Sequence, residues 1–240
     1  MQNTLAIFKK ELRSYFSSPV GFVFIIFFLL VSNAFFFFVQ DFFKQGQVTM
    51  RYYFAAIPWV LLFFVPAITM RLWAEEKKLG TLEILLTMPL RETEVVIGKF
   101  LAALAFLFVS LLGSITIPIT LLYLGQPDMG VIIGSYIGAM LLGAAYLAIG
   151  LYISSLAENQ VVAFIISLAV IFALLLIGIA PTYLNQLGMV AHICEYISLL
   201  SHFNNVTRGV IDSRDVIYYF SVIALFLYMN VKNIEARKWR

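Results

Sequence analysis

Residues Val161–Ala180 read VVAFIISLAVIFALLLIGIA, twenty positions with no charge and a single hydroxyl, Ser167. Coiled as a helix, about 20 residues rise 30 Å, the thickness of a bilayer's hydrocarbon core. A surface helix of a soluble protein keeps one polar face, whereas this stretch is apolar all round, so it predicts a membrane span. Working outward, five more windows qualify: Val20–Val39, Phe54–Met70, Val95–Leu122, Val131–Leu156 and Val216–Val231. The second holds Pro58 and Pro66, which membrane helices tolerate when neighbours satisfy the freed carbonyls. The last rises only about 24 Å; it spans with Tyr218, Tyr219 and Tyr228 at the interfaces and Lys232 reaching out. The first is too long for a cleavable signal peptide, and no small-x-small site follows it.

Composition agrees with an all-α integral membrane protein of six spans, a single domain over 1–240. Of 240 residues 62% are hydrophobic and 12% charged, with mean hydropathy +0.95, a balance that excludes a water-soluble enzyme and a disordered chain. A net charge of +3 gives no support to a nucleic-acid partner. The single cysteine, Cys194, excludes an internal disulfide and a Cys-based zinc or iron–sulfur site. Lys and Arg divide unevenly between alternate loops. Twelve (Lys9, Lys10, Arg13, Arg71, Lys77, Lys78, Arg91, Lys99, Lys232, Arg237, Lys238, Arg240) lie on one side, and four (Lys44, Arg51, Arg208, Arg214) on the other. Positive charge stays inside, so both termini are expected in the cytoplasm.

Three segments outside the spans carry information. In Asn3–Ser17, Leu5, Phe8, Leu12 and Tyr15/Phe16 recur at helical spacing with Lys9, Lys10 and Arg13 between them. This predicts an amphipathic helix in the membrane interface, occupying 1–19. The loop over 71–94, continuing to Lys99, reads RLWAEEKKLGTLEILLTMPLRETEVVIGK and holds ten charged residues. Gly80 is a helix stop, Thr81 can cap a new helix, and Glu83 falls in its first turn, where the macrodipole favours a carboxylate. Leu82, Leu85 and Leu86 share one face; Pro89 disfavours helix at Met88 and limits the element to about two turns. Thr93 can cap the following span. The leucine face must be covered by the membrane surface or by a cytoplasmic partner, unless the loop is simply solvated. The third segment, 181–215, is too long to lack structure. It holds the apolar pairs Ile193/Ile197 and Leu199/Leu200, and Arg208/Asp212 at helical spacing.

Chemistry-bearing patterns are few. His192, Cys194 and His202 could be taken for a metal set, but with only two histidines in the chain chance placement explains them, and no metal is expected. The Asn205-Val206-Thr207 sequon carries no weight. No Ser-His-Asp or paired-carboxylate arrangement stands out, and the carboxylates avoid the spans, which argues against a proton relay. Gly98-Lys99 is followed by Phe100 in place of Ser or Thr and preceded, five residues before Gly98, by Thr93 where a phosphate-cradling loop needs Gly, so no nucleotide cofactor is expected on this chain. Within the spans, Gly130, Gly134 and Gly138 form a small-residue stripe suited to close helix packing or a dimer seam. Asn33, beside Ser32, must find a partner in lipid, through helix packing or along a pathway. The run Phe35–Phe38 ends its span near the outer leaflet.

Taken together, Glu75, Glu76, Gly80, Thr81, Leu82, Glu83, Leu85, Leu86, Pro89, Leu90, Glu94, Val96, Gly98 and Lys99 resemble the hallmark loop of ABC-2 type export permeases, the membrane subunits of ABC transporters. The resemblance implies that Thr81–Thr87 is a coupling helix seated in a groove of a separate ATP-binding subunit, which holds ATP and Mg. On that footing Gly80, Thr81, Leu82, Glu83, Leu85, Leu86 and Pro89 form the docking element. It also implies short external helices that dip back into the outer leaflet before the last span. There the string His202, Phe203, Arg208, Gly209, Val210, Asp212, Arg214, Asp215 and Tyr218 looks most like the gliding-motility branch. The expected protein is an inner-membrane permease that pairs with a second copy or a paralogue and drives export or extraction of an unknown substrate. The alternative is a mechanical complex acting on a partner, with a secreted or periplasmic auxiliary protein and no cargo.

Overall fold

Ser18 and Pro19 set the first corner of the chain. Ser18 is extended and its hydroxyl accepts from the Val20 N–H, while Pro19 occupies a first helical position, where its missing N–H costs nothing. The structure, a computed structural model, describes residues 2–39, 49–183, 188–209 and 212–238, and every regular element among them is helical. In chain order these are α1 (Gln2–Ser17), α2 (Pro19–Ala34), α3 (Arg51–Lys78), α4 (Thr81–Thr87), α5 (Glu92–Gly113), α6 (Thr116–Leu124), α7 (Met129–Leu156), α8 (Gln160–Tyr183), α9 (Gly188–Ile197), α10 (Leu199–Val206) and α11 (Ser213–Lys238). A π-helical turn, Phe35–Val39, extends α2. It follows Ser32 and Asn33, whose side chains both donate to the Leu29 carbonyl, Asn33 at 2.6 Å. Asn33 thus meets its need for a partner within its own helix.

Among the described residues, six stretches are long and apolar enough to cross a membrane: Pro19–Val39, Arg51–Lys78, Glu92–Leu124, Met129–Leu156, Gln160–Ile179 and Ser213–Arg237. The last is longer than its apolar window indicates, 25 residues or about 37 Å. The third is broken between α5 and α6, because Pro118 cannot donate to the Ser114 carbonyl and its ring crowds that group. Ser114 and Ile115 close α5 with tighter bonds to Leu111 and Leu112, and the Ser114 hydroxyl meets Tyr136 Oη at 2.8 Å.

Burial sorts the spans. The apolar windows of α3 and α7 are each 72% buried, against 17% for α2 with its extension and 22% for α8. Phe22, Phe27, Leu30, Ile165 and Leu176 project outward from the two peripheral helices. Such a surface is unfavourable in water and at home in hydrocarbon, and the chain is a multi-pass membrane protein. The central helices touch closely: a Cβ on Gly150 of α7 would stand 2.3 Å from Thr69 Oγ1 of α3.

At the end that carries α9 and α10, α10 lies on α7. A Cβ on Gly138 would be 3.1 Å from Val206 Cγ1, and one on Gly134 would be 3.4 Å from the Val206 carbonyl oxygen. Gly134 and Gly138 are therefore covered by the chain's own α10, about 8–14 Å along α7 from its start. Gly130 plays another part, donating its N–H to the Asp128 side chain that caps α7. Arg208 and Asp212 do not share a helix as their spacing suggests. Arg208 follows α10 in a turn closed by Gly209 at φ 88°, and Asp212 precedes α11 and accepts from Arg214 N–H. Val210 lies outside the described residues, as do Lys44 and Arg240 of the charge count.

Candidate functional site

At the opposite end of the bundle, where the basic residues gather, α4 sits between α3 and α5. Leu79 closes α3 by donating to the Glu75 carbonyl, and Gly80 turns the chain at φ 68°, a conformation cheap only for glycine. Glu83 lies in the first turn of α4, and Met88 is extended before Pro89, so the helix ends after two turns. Two expected caps fall elsewhere. Thr81 is already helical, and its hydroxyl donates back to the Glu76 carbonyl at 3.3 Å. Thr93 lies inside α5, which Arg91 begins; Glu94 reaches back to the Arg91 N–H at 3.3 Å and also accepts from Asn3 Nδ2 of α1 at 3.1 Å.

The leucine face turns inward. Leu82 is 6% exposed and belongs to the chain's own core, and Leu85 packs against that core. The side chain of Leu86 lies outside the described residues. What α4 presents outward is Ile84, 60% exposed, with Glu83, Thr87 and Met88 beside it. The apolar period of the helix is real, but its inner face is occupied by Trp73, Leu90, Val95 and Ile234, which bound a small gap with Leu85.

Two polar latches flank this helix, and both grow from the last turns of α3. On one side Lys99 of α5, 1% exposed, places its ammonium 2.8 Å from Glu76 Oε1, 3.1 Å from Glu11 Oε1 of α1 and 2.8 Å from the Leu72 carbonyl, 4.9 Å from the centre of the Trp73 ring. Its three donors are all used, as a buried cation requires. Lys10 adds a second cation 3.5 Å from Glu11 and 3.8 Å from Glu76. The preceding Gly98 lets α1 approach: a Cβ there would stand 2.8 Å from Ile7 Cγ2. On the other side Lys77 donates to the carbonyls of Ser155 and Ala157 at the end of α7, and Asn233 of α11 donates to the Ser155 carbonyl at 3.0 Å and its hydroxyl at 2.9 Å. Glu76 and Lys77, adjacent in sequence, thus tie α3 to opposite sides of the bundle. The sequence reading counted Lys99 as a loop charge. The missed signal was its place inside the apolar window beginning at Val95, since an ionisable residue within a span needs a partner.

The motif from His202 to Tyr218 comes together in part. His202 Nδ1 lies 2.5 Å from Asp215 Oδ1, and Nε2 lies 3.1 Å from the Tyr196 carbonyl. The His202 ring stacks on Tyr218 at 4.0 Å, Tyr219 Oη donates to the Leu199 carbonyl at 2.8 Å, and Tyr218 Oη donates to the Ile197 carbonyl. These contacts fasten α9 and α10 to the start of α11. Arg208 and Arg214 are exposed, and Gly209 packs on Val131 at the start of α7. The side chain of His192 lies outside the described residues.

No individual curated protein matched the chain. Residues 5–232, nearly its whole length, match the family described as ABC-2 family transporter protein, and the chain belongs to that family.

Proposed function

We propose that this chain is the permease subunit of an ABC exporter that dimerises in the inner membrane with both termini in the cytoplasm. In this reading it couples ATP hydrolysis by a separate subunit to export or extraction of a substrate. The observation that carries the proposal is α4: a two-turn helix with an exposed outward face, joined by one turn to the end of α3, where Glu76 and Lys77 bind α1, α5 and α7. A push on α4 is passed through Glu76 to α1 and α5 and through Lys77 to the end of α7, where Ser155 also holds Asn233 of α11, so a stroke at one short helix moves the ends of most spans together. In this arrangement α1 lies in the interface and α9–α10 re-enter the outer leaflet; the depth of α10 along α7 supports the latter.

A second reading is favoured by α9, where Met189, Ile193 and Tyr196 recur on one exposed face. An external protein could take that face, and strokes would then act on it without cargo, in the manner of the gliding-motility branch. The test is reconstitution. The purified chain alone should hydrolyse no ATP, and adding its cognate ATP-binding subunit should yield a stable complex with turnover. Hydrolysis by the chain free of every other polypeptide would overturn the proposal.

A further inference from the structure

His202 and Asp215 hold each other where α10 meets the start of α11, both side chains largely buried. Each ring nitrogen of His202 faces an acceptor. Nδ1 stands 2.5 Å from the Asp215 carboxylate, and Nε2 stands 3.1 Å from the Tyr196 carbonyl, a group that cannot donate. A neutral imidazole carries one N–H, so it serves one of these contacts and not both. The two contacts together therefore require two protons on the pair, one on Nε2 for the carbonyl and one between Nδ1 and the carboxylate. That is one more than an ionised Asp beside a neutral His would hold. The Tyr218 ring, stacked on His202 with centroids 4.0 Å apart, presents a face that favours a cationic neighbour.

Loss of the extra proton decides which contact survives. A buried carboxylate without a donor is costly, whereas the Tyr196 carbonyl lies at the exposed edge and turns readily to water. A neutral His202 thus keeps its N–H on Asp215 and points a lone pair at the Tyr196 carbonyl, which repels it. Tyr196 belongs to the last turn of α9, the helix whose exposed face carries Met189, Ile193 and Tyr196. We propose that His202 and Asp215 form a proton-binding latch, which fastens the end of α9 to α10 and α11 while the extra proton is bound and frees it as pH rises. The bond from Tyr218 Oη to the Ile197 carbonyl remains, so α9 pivots there. A state that holds one proton more gives way by up to tenfold for each unit of rising pH. The ionisable groups brought to His202 are Tyr196 of α9 and Asp215, Tyr218 and Tyr219 of α11. Their elements add Cys194, exposed Glu195 and His192, whose side chain lies outside the described residues, on α9, with exposed Arg208, Asp212 and Arg214 around α10 and α11. The helices under α10 carry no charged residue; α7 adds Tyr136, bonded to Ser114, and Tyr146. The latch lies at the end of the bundle opposite α4 and needs no ATPase partner.

The single cysteine, Cys194, sits on α9 two residues before Tyr196 and takes a nitroxide with no substitution at all. Electron paramagnetic resonance of the spin-labelled full chain in lipid nanodiscs, from about pH 6 to about pH 9, tests the latch. The expected result is an immobile spectrum at the acid end and a mobile component that grows against it by up to tenfold per pH unit. Asp215→Asn separates the latch from a merely structural pair. The amide it introduces donates to Nδ1, so a neutral His202 meets both contacts with its N–H on the carbonyl, and the label should stay immobile across the whole range. His202→Phe with Asp215→Leu removes both partners and should leave the label mobile and indifferent to pH. A spectrum of the unaltered chain that does not change with pH would overturn the proposal. So would a pH transition that persists in either variant, which would assign the proton to His192, Glu195 or another neighbour.

Discussion

Lys99 lies buried between carboxylates from α1 and α3, with an aromatic face against it. Removing one member of such a network leaves charge behind in a poor solvent. Lys99→Ala should lower stability by about 3–5 kcal/mol, seen as an early melt in detergent, whereas Lys99→Met combined with Glu11→Gln and Glu76→Gln should recover most of the loss. Asp215, 4% exposed, poses the same problem at the opposite end of the bundle. His202→Phe preserves the stack on Tyr218 but strips the partner from that carboxylate, at a cost of about 1–3 kcal/mol; Asp215→Leu in the same background should restore the melting temperature. Neither pairing can be read along the chain. Lys99 and Glu11 are 88 positions apart, and only the path of α1 across Gly98 joins them.

At the scale of elements, spans and stops were legible and faces were not. An apolar run of twenty residues has one stable home, and Gly80 and Pro89 have few conformations to choose from. Pro118 also carried its signal, a missing donor one turn after Ser114, although the window around it reads as unbroken. The caps at Thr81 and Thr93 missed by a residue or two because Gly80 and the Glu94 side chain meet the same backbone needs. Periodicity grouped Leu82 with Leu85 but could not say whether their surroundings belong to this chain or to another. The glycine stripe is similar. Gly138→Leu should collide with Val206 and Phe203, loosening α10 at a cost of about 1–3 kcal/mol by melting. Gly130→Leu should cost less, since among the described residues only the Asp128 carboxylate lies within reach.

The molecule as a whole places three well-buried spans at its centre and three sparsely buried ones at its rim, with the basic residues at one end and α9–α10 at the other. If the basic end is cytoplasmic, a membrane-impermeant maleimide should label half-buried Cys194 in intact cells. It should spare a cysteine placed at Ile84 in a Cys194→Ser background until the cells are opened; labelling of Ile84→Cys from outside would invert the topology. The account turns on α4 having two faces with different owners. Leu82→Asp puts a charge into the chain's own core and should melt the permease early. Ile84→Asp alters a side chain that is 60% exposed at the rim of a cavity beside α1 and α3 and lies outside the chain's own core. Burying an Ile contributes about 1.5–3 kcal/mol, so its loss at a protein groove, with a carboxylate left to desolvate, weakens docking by about a hundredfold. Pull-down of the ATP-binding subunit by Ile84→Asp, with the melting temperature taken on the same preparation, is the most direct measurement. The account predicts a fully folded permease stripped of its ATPase. An Ile84→Asp complex at unchanged stoichiometry and turnover would contradict it.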